Sequence, residues 1–349
     1  MSKAAELAAL IGSQTALSNR NLIINGAMQV NQRGAATGIT SSGYHGPDRM
    51  RIGPSSHGTY SVSQSTDAPE GFSTSYKVDC TTADTSLAAG AIVTVDQRIE
   101  AQNLQQLSFG SSDAKSVTLS FYVKSNLTGV YALNIFSNDA GRTNTLNYTI
   151  NSADTWQKVE LTFVGDTAGS GIVNDNGRGL DISWGLAAGS TYTGGSTTGW
   201  NVYSSNVTSY MRGQAVDIGS STSNEWLITG VQLEVGDVAT PFEHEDIGTT
   251  LAKCQRYFQK IDFLTSNGGV ANSWYYANVS FLTTMRAAPT LSNTSAYGLD
   301  TGNASITQGG STVNGLRIAS AHPTQAAIYG MNSDLWQTLQ GRLQFEAEL

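Results

Sequence analysis

The stretch VTLSFYV, at Val117–Val123, decides the fold because apolar and polar residues alternate along it. Its odd-numbered positions are Val, Leu, Phe and Val, whereas its even-numbered positions are mostly polar. Alternation with a period of two is typical of a β-strand that buries one face. The stretch therefore predicts a half-buried strand that packs against a second sheet.

Similar short stretches, separated by clusters of Gly, Asn, Asp and Ser, run from Asn21 to Val235. In order they are NLIINGAMQV (Asn21–Val30), RMRIG, TYSVSQS, TSYKVDC, AIVTVDQRI, VYALNIFS, TLNYTI, WQKVELTFV, LDISWGL and EWLITGVQLEV. About ten strands with turn residues between them indicate a sandwich of two sheets packed face to face. We expect the glycine-rich connection at Gly189–Gly199 to lie at an end or along an edge of the sandwich.

The composition agrees with an all-β protein and excludes several classes of function. The 349 residues include 6 Trp, 14 Tyr and 10 Phe, but only 13% are charged. The 27 Asp and Glu outnumber the 19 Lys and Arg, which leaves a net charge of −8. Such a balance opposes binding to nucleic acid or to an anionic membrane surface. No apolar stretch approaches the length that a transmembrane helix needs, so we expect no membrane insertion.

Two cysteines, Cys80 and Cys254, lie far apart in the sequence. They are too few for a disulfide framework or a metal cluster. We expect two buried thiols, with one long-range disulfide as the alternative.

The first seventeen residues, MSKAAELAALIGSQTAL, have a helical pattern. Leu7, Leu10 and Ile11 follow helical spacing, and Gly12 ends the run. Glu6 interrupts the apolar stretch and so disfavours a secretory signal. A helix this short is marginal in water by itself, so it must pack on something. We expect residues 1–20 to anchor the chain to another protein, to bundle with other copies, or to pack on their own domain.

The region after Glu245 predicts a linker and a second, smaller domain. Leu251, Cys254, Phe258 and Ile261 keep helical spacing, which predicts a linker helix within residues 246–262. Residues 263–349 then return to strand patterns. With residues 21–245 as the large β domain, the chain is predicted to contain an N-terminal helix, a β-sandwich, a linker helix and a C-terminal β-sandwich. A domain of fewer than about 90 residues has a thin core and often needs a partner, which a symmetric trimer would supply.

The sequence contains no pattern that indicates catalysis, a metal centre or a cofactor. It lacks a zincin motif, a hydrolase elbow, a P-loop and a repeat of fixed period. Glu243–Glu245 (EHE) and Asp175–Asp181 (DNGRGLD) offer at most weak metal sites and are interpreted as a solvated segment and a turn. Five carboxylates are conceivable glycosidase residues, but the sequence does not place two of them in one cleft. They are Asp79, Asp96, Glu100, Asp181 and Asp217.

Aromatic residues beside polar ones are the candidates for ligand binding. Trp200 lies in the glycine-rich region with Tyr192 and Tyr203 nearby, and Trp274, Tyr275 and Tyr276 form a triplet. Aromatic faces flanked by Asn, Asp and Gln suit sugars. For these residues, sheet packing or a subunit interface remains an equal alternative. Trp156, Trp184 and Trp226 lie in strand patterns and are predicted to be core residues.

Long stretches resemble a domain of tail-fibre and other structural proteins of tailed bacteriophages. They are NLIINGAMQVNQRG, DQRIEAQNLQQLSFGSSDAKSVTLSFYVKSNLTGVYALNI, INSADTWQKVELTF and NEWLITGVQLEVGDVATPFEHE, together covering about Asn21–Glu245. CQRYFQ (Cys254–Gln259) and TMRAAPTL (Thr284–Leu291) resemble the linker and terminal domain of the same proteins. The domain is also similar in layout to carbohydrate-binding jelly rolls. In those the last strand often carries a calcium-ligating Asp, near the position that Thr229 occupies here.

The resemblance implies a virion protein with a jelly-roll domain. We expect a homotrimeric phage tail-fibre subunit that attaches to a host-surface glycan without turnover. Leu7, Leu10 and Ile11 would anchor it to other virion proteins. The alternatives are a non-receptor structural protein, such as a head fibre, decoration protein or tail adaptor, and a monomeric carbohydrate-binding module. A glycan-cleaving enzyme is disfavoured.

Overall fold

The computed structural model of the chain describes residues 19–267, 274–292, 299–300, 303–308, 311–332 and 337–349. Two compact units are present, the first comprising the chain up to Ile247 together with Leu349, and the second running from Gly248 to Glu348. Nearly all their regular structure is antiparallel strand, which confirms the predicted all-β class. The predicted N-terminal helix, with Leu7, Leu10 and Ile11, lies outside the described residues.

One sheet of the first unit has six strands in the order β1-β4-β5-β13-β7-β10. Their bounds are β1 Ala36–Ile39, β4 Thr59–Ser65, β5 Ser75–Thr82, β13 Glu225–Val235, β7 Val117–Ser125 and β10 Gln157–Phe163. The last strand of the unit, β13, is thus central in this sheet, between β5 and β7.

The other sheet has seven strands in the order β12-β9-β8-β11-β6-β3-β2. Their bounds are β12 Asn201–Val202, β9 Arg142–Ile150, β8 Gly129–Ser137, β11 Arg178–Ala188, β6 Ile92–Glu100, β3 Arg51–Ser55 and β2 Gly43–Tyr44. A 3-10 helix at Ala101–Leu107 follows β6, and a single-turn helix α1, Ser190–Thr193, follows β11.

The chain passes back and forth between the two sheets, from β5 to β6, β6 to β7 and β7 to β8, as in a jelly roll. One apolar core lies between the sheets and contains side chains from both. The four odd-numbered side chains of Val117–Val123 are 0% exposed, as predicted, but Thr118 and Ser120 on the other face are also buried, so the strand is more than half buried. Trp184 from one sheet and Trp226 from the other are also fully buried, as predicted.

Two local predictions were wrong. Asn21–Val30 is an irregular segment and not the first strand, because Asn25 and Met28 have positive φ values of 61° and 56°. The Asn25 side chain bonds to both the N–H and the C=O of Val30, so it replaces a strand ladder there. Trp156 is not a core residue. It is partly exposed just before β10, and its indole N–H donates to Asp67 at 2.9 Å.

The second unit contains helix α2, Ile247–Gln255, and then strand β14, Phe258–Asn267. The helix is shorter than the apolar spacing predicted, since Phe258 and Ile261 belong to the strand. The reason is tertiary: β14 pairs with another strand over its whole length, from Phe258↔Glu346 to Asn267↔Gln337.

Two antiparallel sheets form the rest of the second unit. One has the order β14-β21-β16 and the other β15-β20-β19-β18-β17. The bounds are β15 Trp274–Ser280, β16 Thr290–Ser292, β17 Leu299–Asp300, β18 Asn303–Gln308, β19 Ser311–His322, β20 Gln325–Asn332 and β21 Gln337–Glu346.

Cys80 and Cys254 are both buried free thiols, which confirms the first of the two alternatives. Among the described residues, no helix is long and apolar enough to cross a lipid bilayer.

Candidate functional site

A cleft of about 280 Å³ opens on the outer face of the seven-stranded sheet. Its floor carries charged and hydroxyl side chains, and aromatic rings line its sides. The lining includes Arg51, Thr94, Asp96, Arg98, Arg178 and Asp181 on the floor, and Phe136, Tyr192, Tyr203 and Tyr210 at the sides.

The floor follows from the alternation of the strands. Along β6, Val93 and Val95 point into the core and are 0% exposed, so Thr94, Asp96 and Arg98 project to the outer face. The register pairs Arg51 of β3 with Asp96, and Arg98 with Asp181 of β11. Side chains directly opposite each other in an antiparallel pair are neighbours, so the floor is a compact grid of charges.

Arginines hold both aspartates of the floor. Arg51 Nη1 donates to Asp96 Oδ2 at 2.6 Å. Arg178 Nε donates to Asp181 Oδ1 at 2.5 Å, and Arg178 Nη2 donates to Asp181 Oδ2. Arg98 Nε lies 3.8 Å from the same Oδ2. Fork-shaped guanidinium pairs of this kind fix the geometry of the carboxylates.

Only one of the two carboxylate oxygens of Asp96 has a hydrogen-bond partner among the described residues. The residue is 4% exposed, and its Oδ1 has no hydrogen-bond partner among the described residues. A buried charged oxygen without a donor is costly, and such groups in folded proteins are generally found to have a partner. Asp96 lines the cleft, but Oδ1 itself is buried, so an O–H or N–H group of a bound molecule would reach it only after a small side-chain shift.

The rings beside the floor form a continuous row. Phe136 meets Tyr203 at 5.5 Å and 74°, and Tyr203 meets Tyr210 at 5.3 Å and 70°. Tyr210 meets Tyr192 at 6.4 Å and 63°. Edge-to-face contacts of this kind are favourable and hold each ring in place.

Three of the four rings come from the segment between β11 and β13. This segment lies against the outer face of the sheet, and its short strand β12 pairs with β9. Thr145 Oγ1 donates to the main-chain oxygens of Ser209 and Tyr210, at 2.9 and 3.0 Å. Fully buried Met211 packs on Ala132 and Ala188 of the sheet.

Glycine permits this close approach. A Cβ atom on Gly185 would lie 2.8 Å from Gln214 Oε1 and 3.0 Å from Met211 Sδ. A Cβ atom on Gly195 would lie 2.2 Å from Ser209 Oγ. The glycine content of the region therefore has a packing cause, since larger residues would lift the aromatic wall from the floor.

Tyr210 keeps its phenolic proton in this environment. Burial, followed by the negative charge of Asp96, raises the pKa of Tyr210 to about 12. Its hydroxyl lies 3.5 Å from Ser183 Oγ on β11. Tyr210 thus remains a neutral hydrogen-bonding group at neutral pH, within the electrostatic influence of Asp96.

The sequence-predicted ligand residues lie elsewhere or outside the described side chains. Trp200 is partly buried against Phe109, with ring centroids 5.3 Å apart, and its indole N–H donates to Val164 O at 2.7 Å. It does not line the cleft, whereas its sequence neighbours Tyr192 and Tyr203 do. Trp274, Tyr275 and Tyr276 begin strand β15, but their side chains lie outside the described residues.

The structure brings together Asp96 and Asp181 of the five carboxylates considered from sequence. Asp79 instead pairs with Lys77 at 2.9 Å, and Asp217 contacts His57 at 2.7 Å. The polar even positions of β6 were the available signal for the cleft floor. Tyr210 carried no distinguishing signal.

Asp175, in one weak metal candidate, and Thr229, at the calcium position of similar jelly rolls, have other contacts. Asp175 Oδ1 accepts the N–H of Gly177 at 2.7 Å, as in a turn. Thr229, at the position where similar jelly rolls carry Asp, is fully buried on β13 opposite Tyr122. Within the described ranges, no group of three or more His, Cys, Asp or Glu side chains is placed to hold a metal ion.

A second, larger cavity of about 550 Å³ lies on the outer face of the six-stranded sheet. Phe72 is at its centre and contacts Tyr122, Phe242 and His244 at centroid distances of 5.4, 5.0 and 5.4 Å. The rings pack two loops onto the sheet, and Phe72 is surrounded by the other three. We therefore take the tyrosine-lined cleft, with its unpartnered carboxylate oxygen, as the candidate site.

No protein-family model matches the chain, and no curated protein matches it significantly. Solved structures of similar fold include the enzymatically active domain of tailspike protein 4 from bacteriophage CBA120, at 14% identity and a TM-score of 0.31. That match covers 62% of this chain and 22% of the tailspike chain.

Two further structures match over a similar part of the chain. A putative sugar binding protein from Bacteroides thetaiotaomicron has 14% identity and a TM-score of 0.33, covering 62% of this chain and 100% of that one. A family 11 carbohydrate-binding module from Clostridium thermocellum, in complex with a β-1,3-1,4-mixed-linked tetrasaccharide, has 11% identity and a TM-score of 0.30. It covers 59% of this chain and 98% of its own. At these identities and scores the matches do not identify the ligand of this chain.

Proposed function

We propose that the protein binds a saccharide, without turnover, in the tyrosine-lined cleft of the seven-stranded sheet. The observation that carries the proposal is the unpartnered Oδ1 of Asp96, which is buried beside a guanidinium and below a row of tyrosines. Sugar rings present apolar C–H faces and many hydroxyl groups. The aromatic row suits the faces, and Asp96 with Arg51 suits a pair of neighbouring hydroxyls, one donating and one accepting.

The size of the cleft favours a short ligand segment. Its volume of about 280 Å³ is just below the range of about 300–1,000 Å³ that is usual for ligand pockets. We propose that it holds one or two sugar units of a longer glycan. Hydrolysis by paired carboxylates would require one of them to donate a proton, whereas arginines hold both Asp96 and Asp181. Binding alone is therefore the proposed activity.

An array of oligosaccharides tests this function, with calorimetry on the best member. We expect saturable binding that Asp96→Asn weakens and that releases no reducing ends. Asp79→Asn, on the opposite sheet, is the control and should bind normally. Absence of binding to every saccharide by the folded chain would contradict the proposal.

We further propose that this binding attaches a tailed phage to its host, with the protein as a homotrimeric tail-fibre subunit of the virion. The sequence resemblance over about Asn21–Glu245 supports the assignment. Leu7, Leu10 and Ile11 would contact another virion protein. Several weak sites on one particle would act together, since tethering makes each later contact effectively intramolecular.

Two experiments separate this role from its alternatives. A stable species of three times the 36.9 kDa chain mass would agree with the trimeric fibre, whereas a monomer would favour an isolated carbohydrate-binding module. Purified protein should bind susceptible cells and slow phage adsorption. If it did neither and labelled the capsid in virions, a head fibre, decoration protein or adaptor would replace the fibre.

A further inference from the structure

The charged residues lining the cleft carry the opposite sign to the chain as a whole. Three arginines, Arg51, Arg98 and Arg178, and two carboxylates, Asp96 and Asp181, line the cleft. The cleft is therefore locally positive, while the whole chain carries −8. A local field of opposite sign selects for ligand charge and raises the local concentration of anions. Arg98 Nη1 also donates to the main-chain oxygen of Leu349, so Arg51 and Arg178 are the two arginines that remain for a ligand.

The three guanidinium groups lie close together. Asp96 and Arg98 are two residues apart on β6, which places their Cα atoms about 7 Å apart on one face. Arg51 is directly across from Asp96 on β3, and Arg178 bonds to Asp181, which is directly across from Arg98 on β11. The arginines thus surround a patch of a few residues and do not spread along the sheet.

Two of these arginines retain free donors toward the cleft. Arg178 uses Nε and Nη2 on Asp181, and Arg51 uses Nη1 on Asp96. Arg178 Nη1 and Arg51 Nη2 have no protein acceptor within the part of the chain that the structure describes. The side chains are 31% and 18% exposed, so a ligand can reach them.

The crowding of cations has an energetic cost that a bound anion would remove. Burial, followed by the charge of Arg98, lowers the pKa of the Arg178 guanidinium. The positive charge on Arg178 is thus disfavoured by its surroundings in the unliganded protein. The charge of Arg51 lowers the pKa of Arg178 as well. An acidic group near Arg178 and Arg51 would offset the repulsion and accept the free N–H groups.

We infer that the ligand is an acidic saccharide, with a carboxylate or sulfate group that binds at Arg178 and Arg51 and a hydroxyl that donates to Asp96. This inference rests on the proposed function, because it specifies the ligand of the same cleft. Neutral glycans would satisfy Asp96 but would leave the excess positive charge of the floor unpaired.

The test compares each acidic saccharide with its own neutral counterpart. An array of neutral, uronate-bearing and sulfated oligosaccharides is screened with the full chain. The best binder is then titrated beside its carboxyl-reduced or desulfated form. We expect the acidic form to bind about tenfold more tightly, with an advantage that falls as salt is raised. The best binder will belong to the carboxylated or to the sulfated series, and this identifies the acidic group that the cleft binds.

Charge variants connect the preference to the cleft. Arg178→Gln and Arg51→Gln should each reduce the acidic-to-neutral affinity ratio towards one. Lys158→Gln removes a positive charge from the opposite sheet, where Lys158 pairs with Glu160 at 2.7 Å, and should leave the ratio unchanged. Thermal unfolding verifies that each variant is folded.

The outcomes separate the inference from the function on which it rests. Equal or tighter binding of the neutral form would overturn the acidic preference and leave saccharide binding in place. An acidic-to-neutral affinity ratio that is unchanged in both arginine variants would also overturn the acidic preference of the cleft, because other residues would then bind the acidic group. Failure of the folded chain to bind any member would contradict the proposed function, and the inference with it.

Discussion

Arg51 Nη1 and Asp96 Oδ2 are 2.6 Å apart on the outer face of the seven-stranded sheet, yet Asp96 Oδ1 has no partner among the described residues. Arg51 therefore fixes the orientation of the carboxylate, while Oδ1 can still accept a hydrogen bond. Because the Asp96 carboxylate is already held in place, it loses little conformational entropy when a ligand donates a hydrogen bond to Oδ1.

Asp96→Asn should weaken saccharide binding by about ten- to a hundredfold. Hydrogen bonds to charged groups are worth about 1.5–3 kcal/mol, and asparagine keeps the shape without the charge. Calorimetry on the best array member measures the loss. Asp79→Asn alters a partly exposed pair with Lys77 and should leave affinity unchanged. Equal affinity of D96N and the unmodified protein would show that Oδ1 does not contact the ligand.

Tyr210→Ala should cost more affinity than Tyr210→Phe. The alanine variant removes the central ring of the row, whereas phenylalanine removes only the hydroxyl that lies 3.5 Å from Ser183. We expect a loss of at least about tenfold for the alanine variant, from the apolar area that it withdraws. Trp156→Ala, on the opposite sheet, is the aromatic control. Similar losses in both tyrosine variants would mean that the hydroxyl, and not the ring, contacts the ligand.

Stability should fall above about pH 10 because burial raises the pKa of several tyrosines, Tyr131 and Tyr210 among them. Burial raises the pKa of Tyr131, and of Tyr210, from 10.0 to about 12. The unfolded chain loses these protons at lower pH than the folded chain. Their contribution is therefore fully present below about pH 10 and is lost as pH rises towards about 12.

Urea unfolding between about pH 9 and pH 11 measures this loss. Tyr131→Phe should lower stability near pH 9, because Tyr131 donates to Leu127 O at 2.8 Å. It should also make the decline above pH 10 shallower. An unchanged slope in Y131F would show that Tyr131 does not titrate in the way described.

Gly230→Ala should destabilise the first unit more than Gly34→Ala. Both glycines have positive φ, at 62° and 79°, which costs alanine about 1–2 kcal/mol. Only at Gly230 would the new Cβ also meet neighbours, at 2.7 Å from Phe72 and 2.9 Å from Tyr122. Overpacking adds about 1–3 kcal/mol there, measurable by urea unfolding. Equal losses would mean that Phe72 moves aside without cost.

The strands were largely predictable because each is an independent local pattern. TYSVSQS and EWLITGVQLEV match β4 and β13 residue for residue. The strand prediction for Asn21–Val30 was wrong because the Asn25 side chain forms hydrogen bonds that compete with strand pairing. The apolar content of the segment does not reveal such bonds. The helix prediction for Phe258 and Ile261 was wrong because both residues lie in β14, which pairs with β21. This pairing, distant in sequence, outweighs their helical spacing.

The candidate site was only partly predictable, because it depends on register. The polar positions of β6 indicate an outward face, but only the pairing of β6 with β3 and β11 brings Arg51 and Asp181 beside Asp96 and Arg98. Tyr192 and Tyr203 were noted only as neighbours of Trp200. Their placement depends on Gly185 and Gly195, which let the segment approach the sheet and are not distinguishable by composition from other loop glycines.

The central claim is that the tyrosine-lined cleft holds the saccharide. A crystal structure of the full chain with the best array member tests it most directly. The account predicts a sugar unit beside the row from Phe136 to Tyr192, with one hydroxyl within hydrogen-bonding distance of Asp96 Oδ1. A saccharide bound instead around Phe72 on the opposite sheet, with the cleft holding only water, would contradict it.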